Sequence, residues 1–137
     1  RSEETRVAAK NQIRRGLVKN AQKKRVDEVS PVDPVEQVVD GQMKHLKLCS
    51  DIRNTVANAF YIIESVVEKK EVKDAVFEEA QKHCRPDAIL VTNTSSIRLV
   101  DLLPSVREHS RRFAGLHFFN PVPVMKLVEV ISTPETS

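Results

Sequence analysis

A histidine and a carboxylate that can meet across a turn are the strongest candidates for proton chemistry in this chain. His117 stands with Phe118 and Phe119 at the close of the strand-like run "RRFAGLHFF", and Glu129 lies in a second such run, "KLVEVI", beyond the turn "NPVP". If the turn folds the second run back on the first, Glu129 comes beside His117 and orients its imidazole as a general base. Leu127, Glu129 and Ile131 share one face of the second run, and a carboxylate on an otherwise apolar face is costly unless paired. The plainer reading is a satisfied core histidine and a glutamate that keeps an edge strand soluble.

Other polar groups follow apolar runs. "NTSS", Asn93 to Ser96, comes after "AILV" and puts an amide and hydroxyls on one loop. Such a set polarises a carbonyl or holds a ribose, and it equally well caps the helix that "IRLVDLL" predicts. Glu68 and Lys73 follow "FYII" and suit either a ligand or the solvated start of a helix. Lys19, Lys23, Lys24 and Arg25 make a basic face that fits a phosphate-rich ligand or simply solvent.

The elements that must position these groups alternate between strand and helix. Residues 3–25 predict a long basic helix with Val7, Ile13, Leu17 and Ala21 on one side. Residues 26–44, with Pro31 and Pro34, predict a loop or flexible connection, with a short helix as the other option. "HLKLCSDI" alternates and suggests a strand at 45–49, and Asp51 is placed to cap "IRNTVANA". "FYIIESVV" reads as a strand buried on both faces. "KKEVKDAVFEEAQKHC" reads as a helix with Val72, Val76, Phe77 and Ala80 inward. The strand "AILVT", a helix cut short by Pro104, and two further strands complete an α/β pattern with a mostly parallel sheet. Loops after parallel strands open on one sheet edge, so the candidate residues converge there.

Composition bounds the function. The 137 residues are 40% hydrophobic, enough for one compact domain. A net charge of +3 suits an anionic small molecule, and 4% aromatic residues offer few stacking platforms, so nucleic acid is not an expected partner. No apolar run reaches the ~20 residues of a membrane span. Cys49 and Cys84 have no neighbours at metal-ligand spacing, and no metal site is expected. Gly16, Gly41 and Gly115 lie too far apart for a GxGxxG dinucleotide loop. The chain opens on Arg1 and stops after a strand-like run, as an internal piece of a longer protein would.

Taken together, "IIESVVEKKEVK", "NTSS" and "GLHFFNPVPVMKLVEVI" resemble the NAD-binding domain of 3-hydroxyacyl-CoA dehydrogenases, most closely the monofunctional mitochondrial type. The resemblance runs in one register from about Ala8 to Ser137 and is loose at 26–45. It implies a partial Rossmann-like, doubly wound sheet lacking its first strands and glycine-rich loop, with the helical C-terminal domain absent. It implies NAD as cofactor and an acyl-CoA as substrate, oxidised from the (3S)-3-hydroxy to the 3-oxo form in fatty-acid β-oxidation. The location implied is the mitochondrial matrix, and the full-length form a homodimer through the absent domain.

By resemblance, His117 is the catalytic base, Glu129 the carboxylate that supports it, and Ser95 a residue touching both substrate and cofactor. Glu68, Lys73, Asn93 and Asn120 match positions on the NAD side, and Lys23 matches a coenzyme A contact. Ser65 departs from a usual alanine, and Gly16 from a serine that often contacts coenzyme A. A non-enzymatic relative of the crystallin or CoA-binding kind, or the dehydrogenase segment of a multifunctional protein, are the alternative readings.

Overall fold

The computed structural model describes residues 2–27 and 35–137, with side chains at all of these but 24–27. The chain divides into two compact units, Arg1–Ser50 and Asp51–Ser137, where a single one was expected.

In the first unit, α1 (Glu3–Asp27) starts with Glu3 and Glu4, whose charges suit a helix N-terminus. Val7 and Ile13, expected on its sheltered side, are exposed. Against α1 packs α2 (Val35–Met43), where Arg14 reaches Asp40 at 2.6 Å and Glu36 at 3.1 Å. Such exposed pairs contribute little. Part of the expected connection is therefore helical, and its residues 28–34 lie outside the described ones. Residues 46–49 are irregular, not a strand. A short alternating run becomes a strand only where a sheet edge receives its backbone, and none pairs with it among the described residues.

The second unit opens with α3 (Ile52–Val56), capped as expected by Asp51, whose carboxylate accepts from the amides of Arg53 and Asn54. The remaining elements are β1 (Tyr61–Glu64), α4 (Lys70–Gln81), β2 (Ile89–Thr92), α5 (Leu99–Leu102), a 3₁₀ helix (Leu103–Arg112), β3 (Phe113–Phe118) and β4 (Val128–Ser132). Pro104 sits in the first turn of the 3₁₀ helix, where its missing N–H costs nothing. The sheet order is β1-β2-β3-β4; the first three strands are parallel and β4 is antiparallel to β3. The expected α/β class with a mostly parallel sheet is what the chain forms.

The core joins Phe77 of α4 to Ala88, Leu90, Leu99, Leu102, Val106 and Phe113, with the Phe77 and Phe113 rings edge to face at 5.4 Å. Two expectations fail. First, Tyr61 and Ile63 of β1, which pairs on one side only among the described residues, are exposed, because an apolar run is buried on both faces only where both faces are covered. Second, Val72 is exposed and Lys73 takes the inward position, on the same helical row as the buried Phe77 and Ala80.

Gly115 lies in β3 two residues before His117 and pairs with Ile131. A Cβ built there meets Ile131 Cβ at 3.2 Å and Leu99 Cδ1 at 3.3 Å. Gly115→Ala is therefore expected to cost about 1–3 kcal/mol by forcing β4 outward. Chemical denaturation checks this, and an unchanged midpoint would contradict it.

Candidate active site

The antiparallel register sets Glu129 directly opposite His117, so the two side chains share a face by strand geometry alone. His117 Nδ1 lies 2.8 Å from Glu129 Oε2. The imidazole is mostly covered, at 18% exposure, and the carboxylate is half exposed. A Phe119 ring stands 4.6 Å from the imidazole. With Nδ1–H donating to the carboxylate, Nε2 carries the lone pair, the form a general base requires. The pair adds little stability at this exposure, and its effect is orientation.

The loops after β1 and β2 are tied to each other and to β3. Asn93, just past β2, accepts at Oδ1 from the Phe118 amide (2.9 Å), and its Nδ2 donates to Ser65 Oγ (3.3 Å). The Asn93 amide also donates to the Glu64 carbonyl. One side chain thus links the carboxyl ends of all three parallel strands. Glu68 Oε1 accepts from Thr94 Oγ1, from the amides of Ser95 (3.1 Å) and Ser96 (3.3 Å), and from Ser96 Oγ. Thr94 Oγ1 in turn accepts from the Ile97 amide and closes the loop on itself; α5 begins only after Arg98 and has no side-chain cap, so the loop's hydroxyls do not cap it.

The geometry matches known proteins over its whole length. The model of the 3-hydroxyacyl-CoA dehydrogenase NAD-binding domain matches residues 1–137. The chain belongs to this family. Among its relatives, the human mitochondrial hydroxyacyl-coenzyme A dehydrogenase is 35% identical over 99% of this chain and 42% of its own length. A probable 3-hydroxyacyl-CoA dehydrogenase of Caenorhabditis elegans is 45% identical over 69% of this chain and 32% of its own length. Among solved structures, the 3-hydroxybutyryl-CoA dehydrogenase of Escherichia coli K12 superposes with a TM-score of 0.81 at 36% identity, covering 99% of this chain and 27% of that one. The (S)-3-hydroxybutyryl-CoA dehydrogenase of Ralstonia eutropha gives 0.84 at 26%, with 99% and 44% covered. The chain therefore spans less than half the length of the relatives it matches.

Within this dehydrogenase domain, Glu68, Asn93, Ser95 and His117 all stand at the carboxyl edge of the parallel strands. Ser95 is exposed on its loop with its amide held by Glu68. Asn120 is exposed just past β3, before a cis bond to Pro121. Lys73 is not at the surface: its side chain is 1% exposed, and Nζ is held by both Glu64 oxygens (2.8 and 3.0 Å) and by Glu68 Oε2 (3.1 Å). Lys23 lies on α1 in the first unit, exposed. Ser65, the departure from a usual alanine, puts its hydroxyl to use on Asn93. At Gly16 nothing lies within 4 Å of an added Cβ, so the position has room for a side chain.

Sequence reasoning missed Glu64, Thr92 and Thr94. Glu64 has no exposed side-chain surface and accepts from Lys73, from Thr92 Oγ1 (2.6 Å) and from the Val66 amide (2.6 Å). The available signal was a charge closing an apolar strand, since such a charge must be paired. Its partner was equally visible as a lysine on the inward row of α4.

Burial works against the Glu68 charge, but the Thr94 hydrogen bond and the Lys73 ammonium outweigh it, and the carboxyl drops from its ordinary 4.5 to about 2. A carboxyl lowered in the folded state stabilises it fully above the unfolded value and loses that contribution as pH falls through the folded one. Stability is thus expected to fall between pH 4.5 and about 2 in part through Glu68. Glu68→Gln should flatten that acid limb in thermal melts, and an unchanged limb would contradict the assignment.

Proposed function

We propose that the protein carrying this chain oxidises the 3-hydroxyl of a (3S)-3-hydroxyacyl-CoA to the 3-oxo form, as a step of fatty-acid β-oxidation. The observation that carries this reading is the His117–Glu129 pair, held at the sheet edge where ligands of such folds gather. His117 Nε2 takes the hydroxyl proton, and Glu129 stabilises the imidazolium as it forms. The bound NAD supplies the hydride acceptor. Ser95 holds the substrate oxygen, and Asn93 keeps β3 in place so that His117 meets it.

The polar groups on this edge suit the ribose and nicotinamide end of NAD. Glu68 offers a carboxylate to ribose hydroxyls, with Ser95, Asn93 and Asn120 beside the nicotinamide and Lys73 beneath Glu68. The three separated glycines leave the pyrophosphate to residues beyond this chain. On this reading residues 1–137 act within a longer polypeptide and show little turnover alone. Lys23 and Ser95 are each proposed, from the resemblance alone, as coenzyme A contacts. A mitochondrial matrix location is proposed from the mitochondrial relatives, and a homodimer built through a helical C-terminal domain is proposed with it. No helix among the described residues is long and apolar enough to cross a membrane.

The test is NADH formation by the full-length protein from the two enantiomers of a 3-hydroxyacyl-CoA. Oxidation of the (3S) form alone supports the reading. Failure to reduce NAD with either form would refute it.

A further inference from the structure

We propose that Glu64 is a positioning residue for the cofactor side of the site: it anchors Lys73, and Lys73 holds Glu68 against the Thr94–Ser96 loop. The inference rests on the dehydrogenase reading above.

Glu64 cannot touch a ligand, because its side chain is fully buried and its oxygens are occupied by Lys73, Thr92 and Val66. Lys73 is equally buried, and its ammonium is spent on two carboxylates. Of the three charges, Glu68 alone reaches solvent, with 37% of its side chain exposed. Of the three, only Glu68 can therefore meet a ligand, and its direction is set from behind.

Two carboxylates share one ammonium, so the cluster carries an excess negative charge that lies outward on Glu68. That charge suits the vicinal hydroxyls of a ribose and repels phosphate. Removing the Glu64 charge frees Lys73 to neutralise Glu68 and to shift toward it. The hold on the Ser95 and Ser96 amides, both bonded to Glu68, then weakens. Glu64 thus acts across β1, α4 and the loop after β2 without reaching the surface.

The test uses Glu64→Gln in the full-length protein, which keeps the shape while removing the charge and one of the two oxygens that accept from Lys73. KM and calorimetric Kd for NAD are expected to rise about tenfold, a larger change than in kcat or the acyl-CoA KM, which Glu64 reaches only through Ser95. Hydrogen exchange at the Ser95 and Ser96 amides is expected to speed up in the ligand-free protein. Combined with Glu68→Gln, Glu64→Gln should weaken NAD no further than Glu68→Gln alone. If Glu64→Gln does not fold, Glu64→Asp shortens the anchor with its charge kept, and a rise in the NAD KM larger than any change in the acyl-CoA KM is expected.

A variant that melts earlier with both KM values and both amides unchanged would show a purely structural residue and overturn the inference. Losses that multiply in the double variant would also overturn it. A wild type that does not bind NAD in the calorimeter would remove the dehydrogenase reading itself and this inference with it.

Discussion

Replacing His117 with glutamine is expected to lower kcat about 10³- to 10⁴-fold while the KM values stay within about threefold. Glutamine keeps a polar side chain of similar reach, so the fold and the covered setting beside Phe119 persist. What it lacks is a nitrogen that accepts a proton and stabilises the charge acquired. Because that transfer develops only in the transition state, ground-state binding is spared. A KM that rose in step with the loss would mean that His117 binds substrate and does not act as base.

Replacing Glu129 with glutamine is expected to lower kcat roughly 10²- to 10⁴-fold. The amide spans the same 2.8 Å contact, yet it withdraws the charge that balances the imidazolium. It also offers an N–H to Nδ1, which favours the tautomer with Nε2 protonated and unable to act as base. Circular dichroism and melting should stay close to wild type, since Glu129 is half exposed on an edge strand. A variant with normal turnover would show the pair to be only a surface contact.

The pairing of His117 with Glu129 was legible because it needs only alternation and a turn: once "NPVP" folds β4 back on β3, the register decides who faces whom. The α/β class and the convergence of loops at one edge follow from the same local patterns. What stayed hidden depends on long-range burial. Lys73 read as a solvated helix start because lysine is rarely buried, and only its two carboxylate partners, Glu64 and Glu68, make its burial tolerable. The alternating stretch at 45–49 could not reveal that no strand edge would receive it. The run "FYII" likewise could not reveal that Tyr61 and Ile63 would stand uncovered. Thr94 was hidden among adjacent hydroxyls, since nothing local says which of them will be buried against Glu68.

The most direct test of the acid–base pair is a double-mutant cycle on kcat with wild type, His117→Gln, Glu129→Gln and the double variant of the full-length protein. If Glu129 works only through His117, the double variant will be no slower than His117→Gln, within about threefold. A wild type without turnover, or losses that multiply in the double variant, would contradict the account.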